Sequence, residues 1–398
     1  MKINFEQEKI IEDPIIFHLV VTAKCQGKCK GCINTLGKKD RKELLSLWKL
    51  NPYRDSKGIL ELIKSLKIEN GKSIYVAFYG GEPLLELDKI LKVKKILDSY
   101  YNFKYIIYTN GLLLRNFIKF KEEVLDFKFI IVSIDGKEKQ HNMVRPKIDY
   151  KKIYHNLKYF KQKFNKNSII MWSTLREGQS FRDCIEAFLE LYKEGLVDYF
   201  FWHFLDTEEP FKDFKSFFQM YKNDLKFLLE LYIHHLRVGE ILPILPLNEL
   251  IYFNMAQKKR KTTACKVELM KNFDIVNGKV VPCIDLPINF YIAEFDEKGN
   301  LSFKNQKLIK AFLNDLINYK KGLDCFNCEA YYYCGGRCPV QAVSSLERTK
   351  NYCKLTKLFT REVESYLERI EPIIKQLCSL ENFYLRFVFP VYFTDVVP

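Results

Sequence analysis

Between residues 15 and 204, short β-rich runs alternate with helical patterns, and this alternation restricts the fold more than any other feature. The runs are Ile15–Val21, Ser73–Tyr79, Tyr105–Thr109, Phe129–Ile134, Ser168–Thr174 and Tyr199–Phe204. Between them lie amphipathic stretches such as Ile59–Leu66, Leu87–Tyr100, Tyr150–Phe164 and Phe181–Glu194. Six strands alternating with helices predict consecutive βα units around a parallel sheet, an α/β fold. Four fragments fall just after strands: the loop containing Cys25, Gly80-Gly81-Glu82-Pro83, Thr109-Asn110-Gly111 and Ser133-Ile134-Asp135-Gly136. The pattern therefore places all four at the C-terminal rim of the sheet, where α/β folds build their sites.

A long helix is expected over Phe211–Arg237, and Pro243 and Pro246 then break the chain. The expected division is 1–240, 241–360 and 361–398. In the second part Phe273–Val276 and Lys279–Val281 flank Asn277-Gly278, a strong hairpin signal. A helical tail is expected to about Leu380, followed by a strand or arm over Phe383–Val397.

The composition, 47% hydrophobic and 28% charged over 398 residues, is that of a globular protein. No run of eighteen apolar residues occurs and residues 1–13 lack a signal-peptide core, so the expected address is cytoplasmic, without a membrane partner. The net charge of +15 is scattered, with one tight run, Lys258-Lys259-Arg260-Lys261. It is compatible with an acidic peptide partner or with a Lys-rich composition alone, and nucleic acid is not expected.

Twelve cysteines in a chain without a leader argue for metal or redox chemistry rather than disulfides. Cys184 and Cys378 stand alone in apolar helical patterns and read as buried thiols. Cys25-x3-Cys29-x2-Cys32 follows the first strand in a loop with Gly27 and Gly31. Four thiolates close a cubane iron–sulfur cluster, whereas three leave one iron open to chelate a small molecule. Zinc is the alternative, but neither His18 nor His141 stands at familiar zinc spacing.

CxxxCxxC after strand one, GGEP after strand two and SxDG after a later strand together resemble the radical S-adenosylmethionine (radical SAM) superfamily. The resemblance covers roughly residues 12 to 235. It implies a partial (β/α)6 TIM-type barrel whose open iron binds S-adenosylmethionine and yields a 5′-deoxyadenosyl radical. On that basis Gly80 and Gly81 let the backbone approach the ligand, Glu82 accepts from its ammonium group, and Pro83 shapes the turn. Ser133 and Asp135 suit its polar groups, and Arg145, closing His141-Asn142-x-x-Arg145, suits its carboxylate. Many relatives carry an aromatic residue before the third cysteine to lie near adenine. Here that position is Gly31, with Tyr79 or Tyr108 as possible substitutes.

The remaining cysteines run Cys265, Cys283, then Cys325-x2-Cys328-x5-Cys334-x3-Cys338 and Cys353. This resembles the SPASM extension of peptide- and protein-modifying maturases, including anaerobic sulfatase-maturing enzymes. The resemblance implies that Cys325, Cys328, Cys334 and Cys353 close one auxiliary cluster, while Cys265, Cys283 and Cys338 hold another, three [4Fe-4S] clusters in all. A zinc ribbon is the alternative. Sulfatase-maturing relatives carry an eighth cysteine where Lys271 stands here, so the second auxiliary cluster is expected to keep an open iron unless Cys184 fills it.

Auxiliary clusters suit a reaction in which a substrate radical loses a further electron, as in a thioether or other cross-link. The resulting expectation is a maturase of a ribosomal peptide, with oxidation of cysteine or serine to formylglycine as runner-up. A non-catalytic iron–sulfur carrier is the alternative from another class. Asp285, two residues after Cys283, is the expected base, ahead of Lys271, His18 and His203. The expected partners are a peptide or protein substrate, a separate leader-recognition protein and a reductant such as ferredoxin or flavodoxin.

Overall fold

The computed structural model describes residues 14–32, 50–66, 73–120, 127–269, 271–283, 291–304 and 306–388. All six expected strands form: β1 (Ile15–Thr22), β2 (Ile74–Gly80), β3 (Phe103–Thr109), β4 (Phe127–Ser133), β5 (Ser168–Leu175) and β6 (Tyr199–Phe204). They pair in parallel in chain order. The crossovers include α1 (Pro52–Ser65), α2 (Leu87–Asp98), α3 (Glu138–Val144), α4 (Tyr150–Lys163) and α5 (Phe181–Lys193). Helix α1 starts where its sequence dictates: Asn51 accepts from the Arg54 amide and Pro52 opens the first turn.

The sheet has two unlike faces. Its outer face, with Phe17, Leu19, Phe78, Val132, Met171 and Trp202, has no solvent exposure. Rings from the helical segments pack on it, as Phe181 on Trp202 at 4.7 Å and Phe117 on Phe127 at 5.6 Å. Each such side chain contributes about 1.5–3 kcal/mol by burial. The inner face is polar and aromatic towards its C-terminal end and carries the residues described below.

Helix α6 (Phe214–Arg237) begins three residues later than expected, because Asp213 caps it by accepting from the Ser216 amide. Beyond it, α7 (Leu245–Met255) follows the Pro243 break, and the Phe200 amide donates to the Pro243 carbonyl, covering the β6 edge.

The expected hairpin forms as β7 (Asn272–Val276) and β8 (Lys279–Val281), with Asn277 and Gly278 both at positive φ, 49° and 78°. Periodicity did not reveal where it docks. Strand β7 pairs in parallel with β1, and β8, β9 (Ala293–Phe295) and β10 (Leu301–Phe303) extend the same sheet antiparallel. One ten-stranded sheet thus runs across the break near Pro243. Arg54 of α1 locks the hairpin in place by donating to the Asn277 side chain, and Gly58 leaves room for the Phe295 ring.

The C-terminal part continues with α8 (Gln306–Gly322), α9 (Tyr331–Cys334), α10 (Pro339–Ser344), α11 (Leu346–Glu364) and α12 (Leu367–Leu377). The tail differs from the expected strand in its described part. Tyr384–Val388 is wound as a π-helix, its Tyr384 ring 5.1 Å from Tyr252 on α7, so aromatic packing on a helix replaces strand pairing. Among the described residues no helix is long and apolar enough to cross a membrane.

Candidate functional site

The Cys25–Cys32 loop leaves the C-terminal end of β1 and is braced on two sides. The Lys28 and Lys30 amides donate to the Pro146 and Val144 carbonyls, and the Gly81 and Glu82 amides donate to the Thr22 and Lys24 carbonyls at 2.7 and 2.8 Å. Gly80 and Gly81 let two backbones meet here. A Cβ on Gly81 would lie 2.1 Å from the Lys24 carbonyl oxygen, and one on Gly80, at φ +133°, 2.3 Å from that of Thr22.

Glu82 joins two of the rim loops. Its side chain is fully buried and accepts from Thr109 Oγ1 and the Asn110 and Leu84 amides, tying the β2 loop to the β3 loop. Burial pushes its carboxyl up to about 7, against the pull of those donors. Pro83 opens a 3-10 turn over Pro83–Glu86, as expected.

Asp135 is also internal. Buried completely, it accepts from Arg145 Nε at 2.7 Å and Nη2 at 3.2 Å, from Arg176 Nη1 at 2.7 Å and from the Thr174 amide at 2.9 Å. Burial opposes its ionisation, yet the two guanidinium groups hold the carboxyl well below the usual range. The Asp135 amide donates to His141 Nδ1, which leaves His141 Nε2 to donate to the Ile148 carbonyl. Both arginines also reach the cysteine loop: Arg145 Nη1 lies 3.9 Å from Cys29 Sγ, and Arg176 Nε donates to the Lys30 carbonyl. Burial pushes the Cys29 thiol up while Arg145 and Arg176 pull it down. Sequence reasoning missed Arg176; its place one residue after β5, on the same rim as the other fragments, was the available signal.

Strand register assigns the inner face. His18 stands opposite Ala77 and Asp274, Val20 opposite Tyr79, Ser133 opposite Trp172, and Thr174 opposite His203. The resulting lumen carries half-buried Tyr79, Tyr108, Ser133, Trp172 and His203. Tyr79 donates to Asp274 Oδ1 at 2.8 Å, and His18 Nδ1 is 3.8 Å from the same oxygen. Tyr108 meets Trp172 edge-on at 5.9 Å. His203 Nε2 bonds Thr174 Oγ1, its Nδ1 has no partner among the described residues, and burial pushes the imidazole down to about 3. Asp285 lies outside the described residues.

Of the second cysteine set, the Cys265 loop, the Cys325–Cys338 segment and Cys353 come together. Cys334, Cys353 and Cys328 all bear electrostatically on Cys325, whose thiol burial pushes up to about 12. Buried Arg337 pulls the Cys334 and Cys353 thiols down. Gly335 and Gly336, both at positive φ, let this segment close on the Cys265 loop. A Cβ on Gly335 would lie 1.9 Å from the Thr262 carbonyl oxygen, and one on Gly336 would meet Tyr319 and Lys320. Lys320 reaches Glu268, which accepts from Thr263 beside Cys265. Lys271 and Cys265 line one small cavity. Cys184 is buried against Gln140 instead, away from that cavity. Among the described residues no three His, Cys, Asp or Glu side chains form a ready metal-ion site. The donors are nonetheless thiols in sets, with buried guanidinium groups beside the β1-loop set and the Cys325–Cys353 set, a donor chemistry that fits an anionic iron–sulfur cluster.

The Radical SAM superfamily matches residues 19–199. The chain is 25% identical over 371 residues to the radical SAM cyclopropyl synthase TigE of Paramaledivibacter caminithermalis, covering 87% of this chain and 73% of that protein. Among solved structures it matches anSMEcpe with bound AdoMet with a TM-score of 0.67 at 18% identity, covering 94% of this chain and all of that one. The same protein with bound AdoMet and a Cp18Cys peptide matches with a TM-score of 0.65 at 17% identity, covering 91% and 99%. Streptococcus suis SuiB bound to S-adenosylmethionine matches at 0.51 and 16%, covering 86% and 74%. These structures share a fold that continues past the barrel into the cysteine-rich C-terminal part. The chain therefore carries a Radical SAM superfamily domain over residues 19–199, the catalytic domain of a radical SAM enzyme, whose family implies a [4Fe-4S] cluster and S-adenosylmethionine.

Proposed function

We propose that this enzyme modifies a ribosomally made peptide by hydrogen abstraction followed by oxidative thioether or other cross-link formation. The observation that carries the reading is the shared lumen. Strand β7, which leads through the hairpin to Cys283, contributes Asp274 to the same inner face as the barrel strands whose rim holds Cys25, Cys29 and Cys32. A substrate in that lumen would lie between the two cysteine regions.

Cys25, Cys29 and Cys32 would hold the cluster that binds S-adenosylmethionine, which supplies a 5′-deoxyadenosyl radical when bound. Cys265, Cys283 and Cys338, and Cys325, Cys328, Cys334 and Cys353, would hold auxiliary clusters that accept an electron. Arg145 and Arg176 hold the loop and offset thiolate charge beside Cys29. Gly80, Gly81, Glu82, Pro83, Ser133, Asp135 and Arg145 are the proposed ligand contacts. Asp274 is the carboxylate on the described inner face, oriented by Tyr79 and adjacent to His18, and is placed to take the proton that leaves as the substrate is oxidised. Asp285 is a second proposed base. An acidic peptide, a leader-recognition protein and a ferredoxin- or flavodoxin-type reductant complete the proposed partners.

The runner-up, formylglycine formation on a sulfatase-type peptide, is favoured by one observation: the chain covers all of anSMEcpe at the higher TM-score. The test is high-resolution mass spectrometry of short peptides encoded beside the gene, each co-expressed anaerobically. Loss of two hydrogens at a cysteine, absent with Cys29→Ala, supports the cross-linking reading. Aldehyde formation in a sulfatase-type peptide instead makes the runner-up correct. Absence of 5′-deoxyadenosine from dithionite-reduced enzyme overturns both.

A further inference from the structure

Arg337 stands inside the C-terminal cysteine motif, between Cys334 and Cys338. Gly335 and Gly336 turn the chain just ahead of it, at φ 64° and 103°, and α10 begins just behind it. Arginine in a loop ordinarily keeps its charge in water, yet Arg337 is only 7% exposed. Three elements close around it. Its Nη1 donates to Thr356 Oγ1 at 3.3 Å, on α11 shortly after Cys353, and its guanidinium lies 5.3 Å over the Tyr352 ring. Its carbonyl accepts from the Tyr319 hydroxyl of α8 at 2.6 Å. Tyr352 in turn stacks on Phe204 at the end of β6, 5.6 Å away and 11° from parallel. Gln341 of α10 exchanges hydrogen bonds with the backbone of Thr207, just past β6. The cation is thereby fixed where the end of the barrel meets the thiols, and it bears electrostatically on Cys334, Cys353 and the lumen residue His203.

An arginine keeps its proton even when buried, so this charge is permanent. It acts through a low dielectric and is little screened by salt. Arg361 is the contrast: it lies on the same helix as Cys353 but is exposed, and it is paired with Glu329 at 2.7 Å. Four thiolates make a cubane cluster anionic, and reduction adds one more negative charge. A fixed cation alongside therefore stabilises the reduced cluster more than the oxidised one, which raises the reduction potential.

We propose that Arg337 is a positioning residue that acts through the cluster held by Cys325, Cys328, Cys334 and Cys353, raising its reduction potential so that it serves as an electron acceptor. The proposal rests on the iron–sulfur reading above. The step it favours moves one electron: the substrate radical is oxidised, the C-terminal clusters are reduced by that electron, and the released proton goes to the lumen base.

The test is an anaerobic redox titration of reconstituted holoenzyme followed by electron paramagnetic resonance, with iron and zinc contents measured alongside. The signal that Cys325→Ala removes identifies the cluster. Arg337→Gln takes away the charge and keeps a donor for Thr356. It is expected to disfavour reduction of that cluster about ten-fold, a midpoint about 59 mV lower for a one-electron couple. Arg337→Lys restores the charge and most of the potential. Arg361→Gln, which removes an exposed charge from α11, leaves the midpoint at the wild-type value. The proposal is overturned if Arg337→Gln holds its iron with an unchanged midpoint, if Arg361→Gln shifts it as much, or if the lysine variant fails to recover it. Loss of C-terminal iron from Arg337→Gln also overturns it, because the residue would then be structural. Zinc, or no reducible cluster, in the C-terminal part of the wild type overturns the iron–sulfur reading and the proposal together, and is read before any variant is compared.

Discussion

Replacing Arg176 with methionine tests the central claim about the site, that Asp135 is an internal anchor held by two cations. Methionine keeps the unbranched stem and removes one of two guanidinium groups from a carboxylate with no solvent exposure. A hydrogen bond to a buried charge is worth about 1.5–3 kcal/mol, and breaking a buried pair outright costs about 3–5 kcal/mol. Arg145 still holds Asp135 through two contacts, while the Lys30 carbonyl loses its donor, so the expected loss is about 3 kcal/mol. For a slope of about 3 kcal/mol per molar, the urea midpoint falls by about 1 M. The sign with pH follows from the depressed carboxyl of Asp135. Its contribution is complete above the unfolded value near 4 and is lost as pH falls towards the folded one. The deficit of the variant is therefore largest near neutrality and shrinks below about pH 4. Urea titrations followed by circular dichroism at both pH values measure this. A midpoint change below about 0.2 M, or equal deficits at the two pH values, would refute the anchoring role.

Gly81→Ala forces a Cβ to within 2.1 Å of the Lys24 carbonyl oxygen, so the Cys25–Cys32 loop must move; iron analysis should show loss of about one cluster's iron, with the protein still folded. Asp274→Asn should leave deoxyadenosine formation in place and lower product formation on a confirmed peptide by about 10²–10⁴-fold, as expected for loss of a general base. Equal loss of both would assign Asp274 a structural role. Cys334→Ala should spare deoxyadenosine formation more than product; equal loss would make the auxiliary thiols purely structural. Asp55, pushed up by burial from 3.8 to about 6, binds its proton more tightly when folded, so it lowers stability as pH rises between those values. Asp55→Asn should therefore gain about 3 kcal/mol on the wild type between pH 4 and pH 8 in urea titrations.

Local pattern determined much of this protein. Apolar runs alternating with amphipathic stretches were enough for six strands in chain order, because each βα unit is specified by neighbours in sequence. The same pattern put the cysteine loop, GGEP and the Asp135 turn on one rim, and Asn277-Gly278 fixed a hairpin through its two positive φ values. Tertiary structure decided what these pieces touch. Nothing in the alternation of Asn272–Val276 states that it pairs with β1 rather than with a separate sheet, yet that pairing alone sets Asp274 beside His18 and Tyr79. The carboxylates and glycines of the rim also brace the fold. Glu82 meets Thr109 and Asn110, Asp135 meets Arg145 and Arg176, and Gly81 meets the Lys24 carbonyl. The physical reason is common to all of them. A residue's type limits which partners it can satisfy, but a buried charge or backbone group takes whichever partner the chain's long-range pairing brings within reach.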